Sequence, residues 1–561
     1  MKKFLGLLVS AWIWGGGNLF AQGEMDAYKF SQYDLNGTAR YLSMGGAFGA
    51  LGGDVSAMKS NPAGLAIYRS SEVVTSISLS SIKTNTNWEG TKMNDSKTRF
   101  NFDNIAYVGY FPTGNDEGLV GWNVGFAYNR VKSFNRQYQM GRGAGGSSIS
   151  DYLAGYTNLS VNPSSGLGLT GNDLWSTDSY NPYLNQDWLP TLAYNAGLID
   201  TDNRGKAGSF FSPFGFWNDK NQWKPLAVQT ADMWVSEKGS IDEYDISMAA
   251  NISNFVFIGA TVSITDLDYR AEYIYDENFG YFDANAEAIG FNDRLYWDNY
   301  HKSKGTGYSF DLGVIVRPVD FLRLGVAYNS STWYKMTNDY AAEAGAFVYD
   351  YYVDKQNPLD PSSPDLARNA STPTDFYTDY KLRTPDKWVF SAAAILGQSA
   401  LISVDYELTN YKTMRLQDWQ GYDQEFDNSL IKEDFRTNGL LKVGAEYKVT
   451  PQFAVRLGGA WQNSPTQNHL MYNSGELTEV YPAGTRTAYS VDHHVNYYTV
   501  GLGYRFTPNL YVDMACVYRM QEEEVYPYSN LINEGNVLVE SVPATLKTNT
   551  TKVALTLGYK F

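Results

Sequence analysis

Alternation of apolar and polar residues dominates the chain from Ser71 to its C-terminus. The last segment, 551–561, shows the pattern most clearly. Residues two apart on a β-strand point to the same side, so one face of this segment suits an apolar solvent and the other suits water or packed polar groups. The apolar face holds Val553, Leu555, Leu557, Tyr559 and Phe561, and the opposite face holds Lys552, Ala554, Thr556, Gly558 and Lys560.

The same alternation recurs along the chain and predicts about fourteen strands. They are expected at 72–83, 99–111, 119–132, 241–251, 254–277, 306–317, 320–334, 381–396, 400–412, 436–449, 452–462, 494–506, 509–520 and 549–561.

The connections between these strands alternate between very short and very long. Long loops at one end and tight turns at the other are typical of an outer-membrane β-barrel. The short turns are 112–118, 252–253, 317–320, 397–399, 450–451 and 507–508, and the long loops are 84–98, 133–240, 278–305, 335–380, 413–435, 463–493 and 521–548.

A soluble β-sandwich or β-helix is the alternative, because alternating strands alone do not require a membrane. Charges such as Arg456 and Asp513 interrupt otherwise apolar strands. A sandwich core would tolerate them poorly, whereas the lumen of a barrel is polar. The pattern therefore favours an all-β transmembrane barrel of about fourteen antiparallel strands.

The first 21 residues resemble a secretory signal peptide, with Lys2 and Lys3 before an apolar run. We expect cleavage after Ala21; a short membrane anchor is less consistent, because the apolar run is shorter than the ~20 residues of a spanning helix. The predicted organisation is a signal peptide at 1–21, an N-terminal plug at 22–70 and a barrel at 71–561. Within the barrel, 133–240 forms a long extracellular insertion, with short helices near 149–158 and 189–198, that serves either as a ligand-docking lid or as plain loop packing.

Composition excludes several classes of function. The net charge is −16, whereas a nucleic-acid partner would call for a basic stripe. A single cysteine, Cys516, rules out an intrachain disulfide framework, and no Cys/His cluster has metal-ligand spacing. No nucleophile elbow, zinc-protease motif or P-loop ending is present, so we expect no enzyme activity, no metal and no cofactor.

Charged residues on the predicted lumen face are the first candidate site. One interpretation is a mutually neutralising network that keeps the interior hydrated and rigid. The other is that a basic residue, with Arg323, Lys442 and Arg456 as the candidates, contacts the head group of an anionic ligand. The full set comprises Asp405, Glu407, Glu446 and Asp513 with Arg323, Lys442, Arg456 and Arg519.

The stretch from Ala39 to Tyr68 is rich in Gly and Ala and nearly free of charge. Pro62 fixes its own φ and keeps Asn61 out of the helical region, so a short helix from about Asp54 to Ser60 must end there. Asp54 is a plausible N-cap for this helix. The plug either shifts when a ligand arrives or packs as a static stopper.

Several motifs resemble the FadL/TodX (OMPP1) family of outer-membrane transporters of hydrophobic compounds. They are Met44–Leu51 with Asp54, Ser56 and Ala57, then Asn61–Leu65, Thr384–Trp388, Val404–Tyr406, Tyr411-Lys412, Leu441–Gly444 and the final Gly558–Phe561. The resemblance implies a fourteen-strand barrel closed by an N-terminal hatch, which corresponds to the plug, and a lateral opening in the wall. Asn61, Pro62 and Ala63 match the family's hatch motif and are carried over as ligand-binding or gating residues.

The resemblance also implies passive uptake of long-chain fatty acids or similar hydrophobic molecules across the outer membrane of a Gram-negative bacterium. A barrel-anchored surface adhesin or assembly factor and a general porin remain the alternatives. The expected partners are a fatty acid-like molecule and outer-membrane lipid, with no nucleic acid, and we expect a monomer.

Overall fold

The computed structural model describes residues 23–217, 223–282, 288–348, 366–374 and 377–561. The predicted signal peptide lies outside these residues. Of the helices in the described ranges, none is long and apolar enough to cross a membrane.

Fourteen antiparallel strands form one closed barrel. Each strand pairs with the next along the chain, and the last pairs back with the first, with Glu72 opposite Lys560. The strands are β1 (Glu72–Trp88), β2 (Thr91–Pro112), β3 (Leu119–Ser133), β4 (Ala227–Ile252), β5 (Val256–Phe282), β6 (Ala288–Val319), β7 (Leu322–Asn329), β8 (Lys387–Leu396), β9 (Ala400–Asn410), β10 (Thr437–Lys448), β11 (Phe453–Gln462), β12 (Tyr489–Arg505), β13 (Leu510–Tyr526) and β14 (Ala544–Lys560).

The outer and inner faces of the barrel follow the predicted alternation. On β14, Leu555 and Tyr559 are 45% and 50% exposed, whereas the neighbouring Ala554 and Thr556 are buried. Exposed apolar side chains on the outside of the barrel match a lipid environment. Both the number of strands and their orientation are thus confirmed.

Several predicted loops are wrong because the strands continue beyond the apolar band. Residues 84–98 belong to the β1–β2 hairpin, which turns at Glu89-Gly90, both with positive φ. Most of 278–305 likewise belongs to β5 and β6. Above the apolar band the outer face no longer contacts lipid and carries polar residues, so the hydropathy pattern no longer distinguishes strand from loop.

Two predicted strands are each divided in the structure. The segment 320–334 contains β7 and the start of a separate strand, Trp333–Val348. The segment 381–396 contains the end of the strand Tyr377–Arg383 and the start of β8, and Pro385, which has no amide hydrogen to donate, lies between them.

Additional strands extend the wall at the loop end of the barrel. Arg136–Arg142 pairs with β4, and Trp333–Val348 pairs with the first half of β6. The remaining short strands are Leu366–Ser371, Tyr377–Arg383, Arg415–Asp418, Asp200–Thr201, Phe210–Phe211, Gly215–Trp217, Trp223–Pro225, Leu531–Asn533 and Asn536–Val539.

The N-terminal segment 23–70, the plug, lies inside the barrel. It contains α1 (Glu24–Phe30), α2 (Ala39–Ser43), α3 (Ala57–Ser60) and a 3₁₀ helix, Pro62–Ile67. Helix α3 ends at Asn61, directly before Pro62, as predicted.

The long loops form a packed cap above α1. The cap holds α4 (Ile149–Leu159), α5 (Gly171–Leu174), α6 (Trp188–Asn195) and α7 (Glu425–Asp434), and α4 and α6 match the two predicted helices. One apolar cluster joins the cap to α1 through residues such as Phe30, which is fully buried. The 3₁₀ helices are Pro182–Leu184, Tyr411–Thr413, Asn468–Leu470 and Tyr472–Ser474.

Candidate functional site

The plug rests on the inner wall through two groups of barrel glycines. At the first, Asn61 and Pro62 press against the adjacent strands β5, β6 and β7. A Cβ atom at Gly259 would lie 2.4 Å from the Pro62 carbonyl, and one at Gly313 would lie 1.9 Å from Asn61 Oδ1. Only glycine permits so close an approach of plug and wall.

Asn61 is fully buried and its side chain fixes the turn into the 3₁₀ helix. Nδ2 donates to the Gly49 carbonyl at 2.6 Å and to the Val314 carbonyl at 3.3 Å, and Oδ1 accepts from the Ala63 amide at 3.1 Å. Asn61 therefore ties two turns of the plug to β6. Pro62 and Ala63 are also buried, at the same contact.

At the second contact, the turn after α2 presses against β10, β11 and β12. Cβ atoms at Gly444 and Gly458 would lie 2.4 Å and 2.3 Å from the Met44 backbone, and one at Gly501 would lie 2.4 Å from Ser43 Cβ. The Gly45 amide also donates to Thr499 Oγ1 at 3.1 Å. The two contacts lie on different parts of the wall and hold the plug from two sides.

Two basic residues of the plug reach carboxylates of the wall. Lys59 Nζ lies 2.6 Å from Glu243 and 3.7 Å from Asp311, and Arg40 Nε lies 3.1 Å from Glu446. Burial alone would lower the pKa of Lys59, but Asp311 and Glu243 raise it well above its ordinary value. Lys59 therefore remains charged and ties the plug to β4 and β6.

The sequence analysis did not single out Lys59 and Arg40. A signal was present, because they are the only basic residues between Ala39 and Tyr68. With Asp54 as the one acidic residue of the segment, two cations packed inside a barrel need carboxylate partners from the wall.

Asp54 does not cap α3, contrary to the prediction. The helix begins at Ala57, and the N-cap Ser56 makes no side-chain capping bond. Asp54 instead accepts hydrogen bonds from Thr38 Oγ1 at 2.9 and 2.8 Å and from the Ser56 amide at 3.0 Å. The carboxylate of Asp54 thus joins the start of α2 to the turn before α3. The Thr38 hydroxyl and the Ser56 amide occupy its oxygens, so it does not cap the helix.

The predicted lumen residues Lys442 and Arg456 are both buried and ion-paired with wall carboxylates. Arg456 donates to Glu446 and to Asp513, at 2.6 Å in each case. Lys442 donates to Glu407, which also lies 3.6 Å from Lys387. Two lysines therefore share this one glutamate.

Arg323 is placed differently from the other two candidates. Its Nη1 donates to the Leu51 carbonyl of the plug at 2.6 Å. No carboxylate among the described residues forms an ion pair with it. The structure thus brings Arg456 into a compensated network, places Lys442 and Lys387 on the shared carboxylate of Glu407, and joins Arg323 to the plug.

Small cavities surround the plug residues 33–36. One of ≈ 90 Å³ lies on the side of the loops and is bordered by Lys29, Arg136 and Asp492. A second of ≈ 90 Å³ lies deeper and is bordered by Lys59 and Lys442. Asp34 borders both, so they lie on the two sides of the same short segment of the plug.

The barrel wall separates between β2 and β3. Their pairing begins at Pro112 opposite Gly121 and stops at Asn104 opposite Asn129, although both strands continue toward the loops. Beyond this point β2 pairs only with β1, and β3 pairs only with β4. A cavity of ≈ 110 Å³ lies behind the separation, bordered by β1–β2, by β3 and by the plug.

Comparisons with known proteins agree with this architecture. The model of the family described as outer membrane protein transport protein (OMPP1/FadL/TodX) matches residues 284–561. A crystal structure of a Pseudomonas aeruginosa FadL homologue is similar with a TM-score of 0.50 and 14% identity, over 94% of this chain and 99% of that chain. At this identity the likeness shows the fold alone.

Two further structures are similar at lower scores. The P. putida toluene transporter TodX has 10% identity and a TM-score of 0.47, over 94% of this chain and 99% of that chain. The Ralstonia pickettii toluene transporter TbuX has 12% identity and a TM-score of 0.43, over the same shares. No curated protein sequence matches the chain.

Proposed function

Because the chain belongs to the OMPP1/FadL/TodX family of outer membrane transport proteins, we propose that it conducts amphipathic molecules such as long-chain fatty acids passively. In the proposed route, a molecule enters from the outer membrane at the separation between β2 and β3. It then passes the plug toward the periplasm. No energy coupling is required, since the movement follows the concentration gradient.

The continuity of two cavities supports this route. The cavity behind the β2–β3 separation and the deeper cavity beside Lys442 share the lining residues Leu35, Asn36, Arg130 and Tyr497. Asp34 also lines both, so the two spaces lie next to each other around the plug residues 34–36. The proposed route runs from one space to the other past these residues.

The lining of the deeper cavity favours an amphipathic molecule over a pure hydrocarbon. Tyr41, Leu440 and Tyr497 supply apolar surface, and the Lys387–Lys442 pair supplies positive charge. Since the two lysines share Glu407, one of them can exchange its partner for the carboxylate of a ligand. We propose Lys442 as the head-group contact.

The plug argues against a general porin. A fourteen-strand lumen would be wide enough for water, but the plug occupies it and contacts the wall on two sides. Asn61, Pro62 and Ala63 lie at one of these contacts, so we propose that they gate the path by setting where the plug rests.

The test is to fill the cavity behind the wall separation. Ile82 borders this cavity, whereas Leu79 lies on the lipid face of β1 and is 53% exposed. In proteoliposomes, Ile82→Trp should reduce uptake of a fluorescent long-chain fatty acid several-fold, and Leu79→Trp should leave it unchanged. Equal uptake by both variants, with the barrel folded, would refute the route.

A second variant tests the head group. Lys442→Met should reduce uptake of the fatty acid more than uptake of an uncharged hydrocarbon such as toluene. An equal reduction of both would show that Lys442 acts only on the structure.

A further inference from the structure

The tip of the β1–β2 hairpin lies over the outside of the neighbouring wall. Thr84 Oγ1 donates to the Gln137 carbonyl at 2.9 Å, and Thr86 Oγ1 donates to the Gln139 carbonyl at 2.6 Å. Gln137 Nε2 donates to both oxygens of Asp95 at 3.0 Å. The inward face of the hairpin thus contacts the backbone and the outward side chain Gln137 of strand Arg136–Arg142.

The strand registers place basic residues opposite each other just below this contact. Gln137 is paired with Ser236 of β4, so Asp95, Gln137 and Ser236 lie at one level. Both β2 and β4 run toward the turn end of the barrel. Two residues further along each strand, which is about 7 Å closer to the turn end at ~3.3 Å per residue, the hairpin carries Lys97 and β4 carries Lys238.

Arg99 follows Lys97 on the same face of β2 and borders the cavity behind the wall separation. We call Lys97, Arg99 and Lys238 the basic cleft. The charged neighbours of Lys97 are Arg99, Lys238 and Asp95, and Asp95 is already engaged by Gln137. The cleft therefore carries an excess of positive charge.

None of the three basic side chains has an ion pair or a hydrogen bond with another described residue. Nearby basic residues at the same opening do have partners: Lys552 lies 3.0 Å from Asp103, and Arg130 lies 3.0 Å from Asp242. Three positive charges held together beside a single carboxylate, Asp95, repel one another, so this arrangement is costly unless a further anion is supplied from outside.

The apolar band of the barrel ends just below the basic cleft. The continuous series of exposed, outward apolar residues ends on β2 at Phe100, 67% exposed, and on β4 at Tyr244, 52% exposed. Toward the loops, the outward positions are polar, beginning with Thr98 on β2. The cleft therefore lies at the height of the lipid head groups, between the hairpin and the wall and beside the wall separation.

We propose that the basic cleft binds the phosphate of a lipid head group in the outer leaflet. Arg99 provides a planar pair of donors for phosphate oxygens, and the two lysines add charge from both sides of the cleft. Clusters of basic residues at the membrane surface attract anionic lipids by this means. A lipid held there would lie beside the β2–β3 separation. Binding of this lipid does not depend on which molecule the protein transports.

The test measures lipid binding to the purified, detergent-solubilised protein by native mass spectrometry, with phosphatidylglycerol as the probe. The combined change Lys97→Gln, Arg99→Gln and Lys238→Gln should weaken binding of the tightest lipid at least tenfold, since each basic residue near a membrane surface contributes substantially. Lys304→Gln is the control, because Lys304 lies on the outside of the barrel, is 57% exposed, and lies 4.0 Å from Asp268. The Lys304→Gln variant should bind phosphatidylglycerol as tightly as the unchanged protein does.

Unchanged phosphatidylglycerol binding by the triple variant would overturn the proposal. So would a loss of oleate binding with lipid binding intact, because the cleft would then recognise a carboxylate ligand. Fatty-acid uptake by the same variant is measured separately, so that a failure of the transport proposal is not mistaken for a failure of the lipid site.

Discussion

Asn61 Oδ1 lies directly against Gly313 of β6, so that a Cβ atom at position 313 would come within 1.9 Å of it. The contact joins the hatch motif, Asn61–Ala63, to a position of the barrel wall where only glycine leaves room for it. The plug and the wall are therefore fitted to each other.

The first prediction is that Gly313→Ala displaces the plug and leaves the barrel folded. Overpacking of this kind costs typically 1–3 kcal/mol, and moving the plug is the easiest relief. Ion conductance across planar bilayers should rise, since a displaced plug opens the lumen. Gly143→Ala is the control, because a Cβ atom there meets nothing within 4 Å. Conductance equal to that of the control would show that the contact adapts without moving the plug.

Asn61→Ala should weaken fatty-acid uptake without unfolding the barrel. The change removes the donor to the Gly49 carbonyl at 2.6 Å and leaves a buried acceptor unpaired, at a cost of about 1–3 kcal/mol. Pro62→Ala should have a smaller effect in the same direction, since the ring only restricts the backbone. Heat-dependent gel mobility verifies the barrel. Normal uptake in both variants would limit this motif to passive packing.

Lys59→Met should loosen the plug more than any single hydrogen-bond change. The substitution leaves Glu243 and Asp311 facing each other without their shared cation, and breaking a buried pair costs roughly 3–5 kcal/mol. Limited proteolysis followed by mass spectrometry should show faster cleavage within residues 23–70. Lys59→Arg should restore protection, and Arg69→Gln, a change at an exposed position, should have no effect. Equal cleavage of the Met and Arg variants would contradict a role for the charge.

The barrel could be predicted from the sequence because lipid imposes a period of two on every strand. Residues such as Leu555 and Tyr559 had to face outward, and each predicted strand overlaps one of the fourteen barrel strands, although two of them also contain part of a further strand. The pattern ends where lipid ends, so the hairpin extension at 84–98 was predicted as a loop. Lipid does not surround the hairpin extension, so nothing requires its outward residues to be apolar and the alternating pattern disappears.

The separation of β2 from β3 could not be predicted from the pattern. Asn104 and Asn129, the last paired residues, differ in no obvious way from polar inward residues elsewhere in the barrel. Pairing is a property of two strands together, and hydropathy reports on each strand alone. The charged pairs of the lumen were predicted as a group, but which lysine shares which carboxylate depends on the register, as with Lys442 and Glu407.

The last prediction concerns pH and the cap helix α7, which packs against α1 of the plug. Burial raises the pKa of Asp427 from its ordinary value of 3.8 to about 7. Burial, and then the nearby Asp434, raise the pKa of Glu24 well above its ordinary value. The folded cap thus holds protons that the unfolded segment would release, so its stability is greatest at low pH and falls as the pH rises from about 4 to about 7.

Hydrogen exchange of residues 425–434 should therefore be faster at pH 8 than at pH 5, after correction for the intrinsic rate. Asp427→Asn should reduce the difference, because the amide resembles the protonated carboxyl and does not ionise. Glu433→Gln, at an exposed position of the same helix, should leave the difference unchanged. Equal corrected rates at the two pH values would show that α7 is held by apolar contacts alone and that ionisation of these carboxyls does not control the cap.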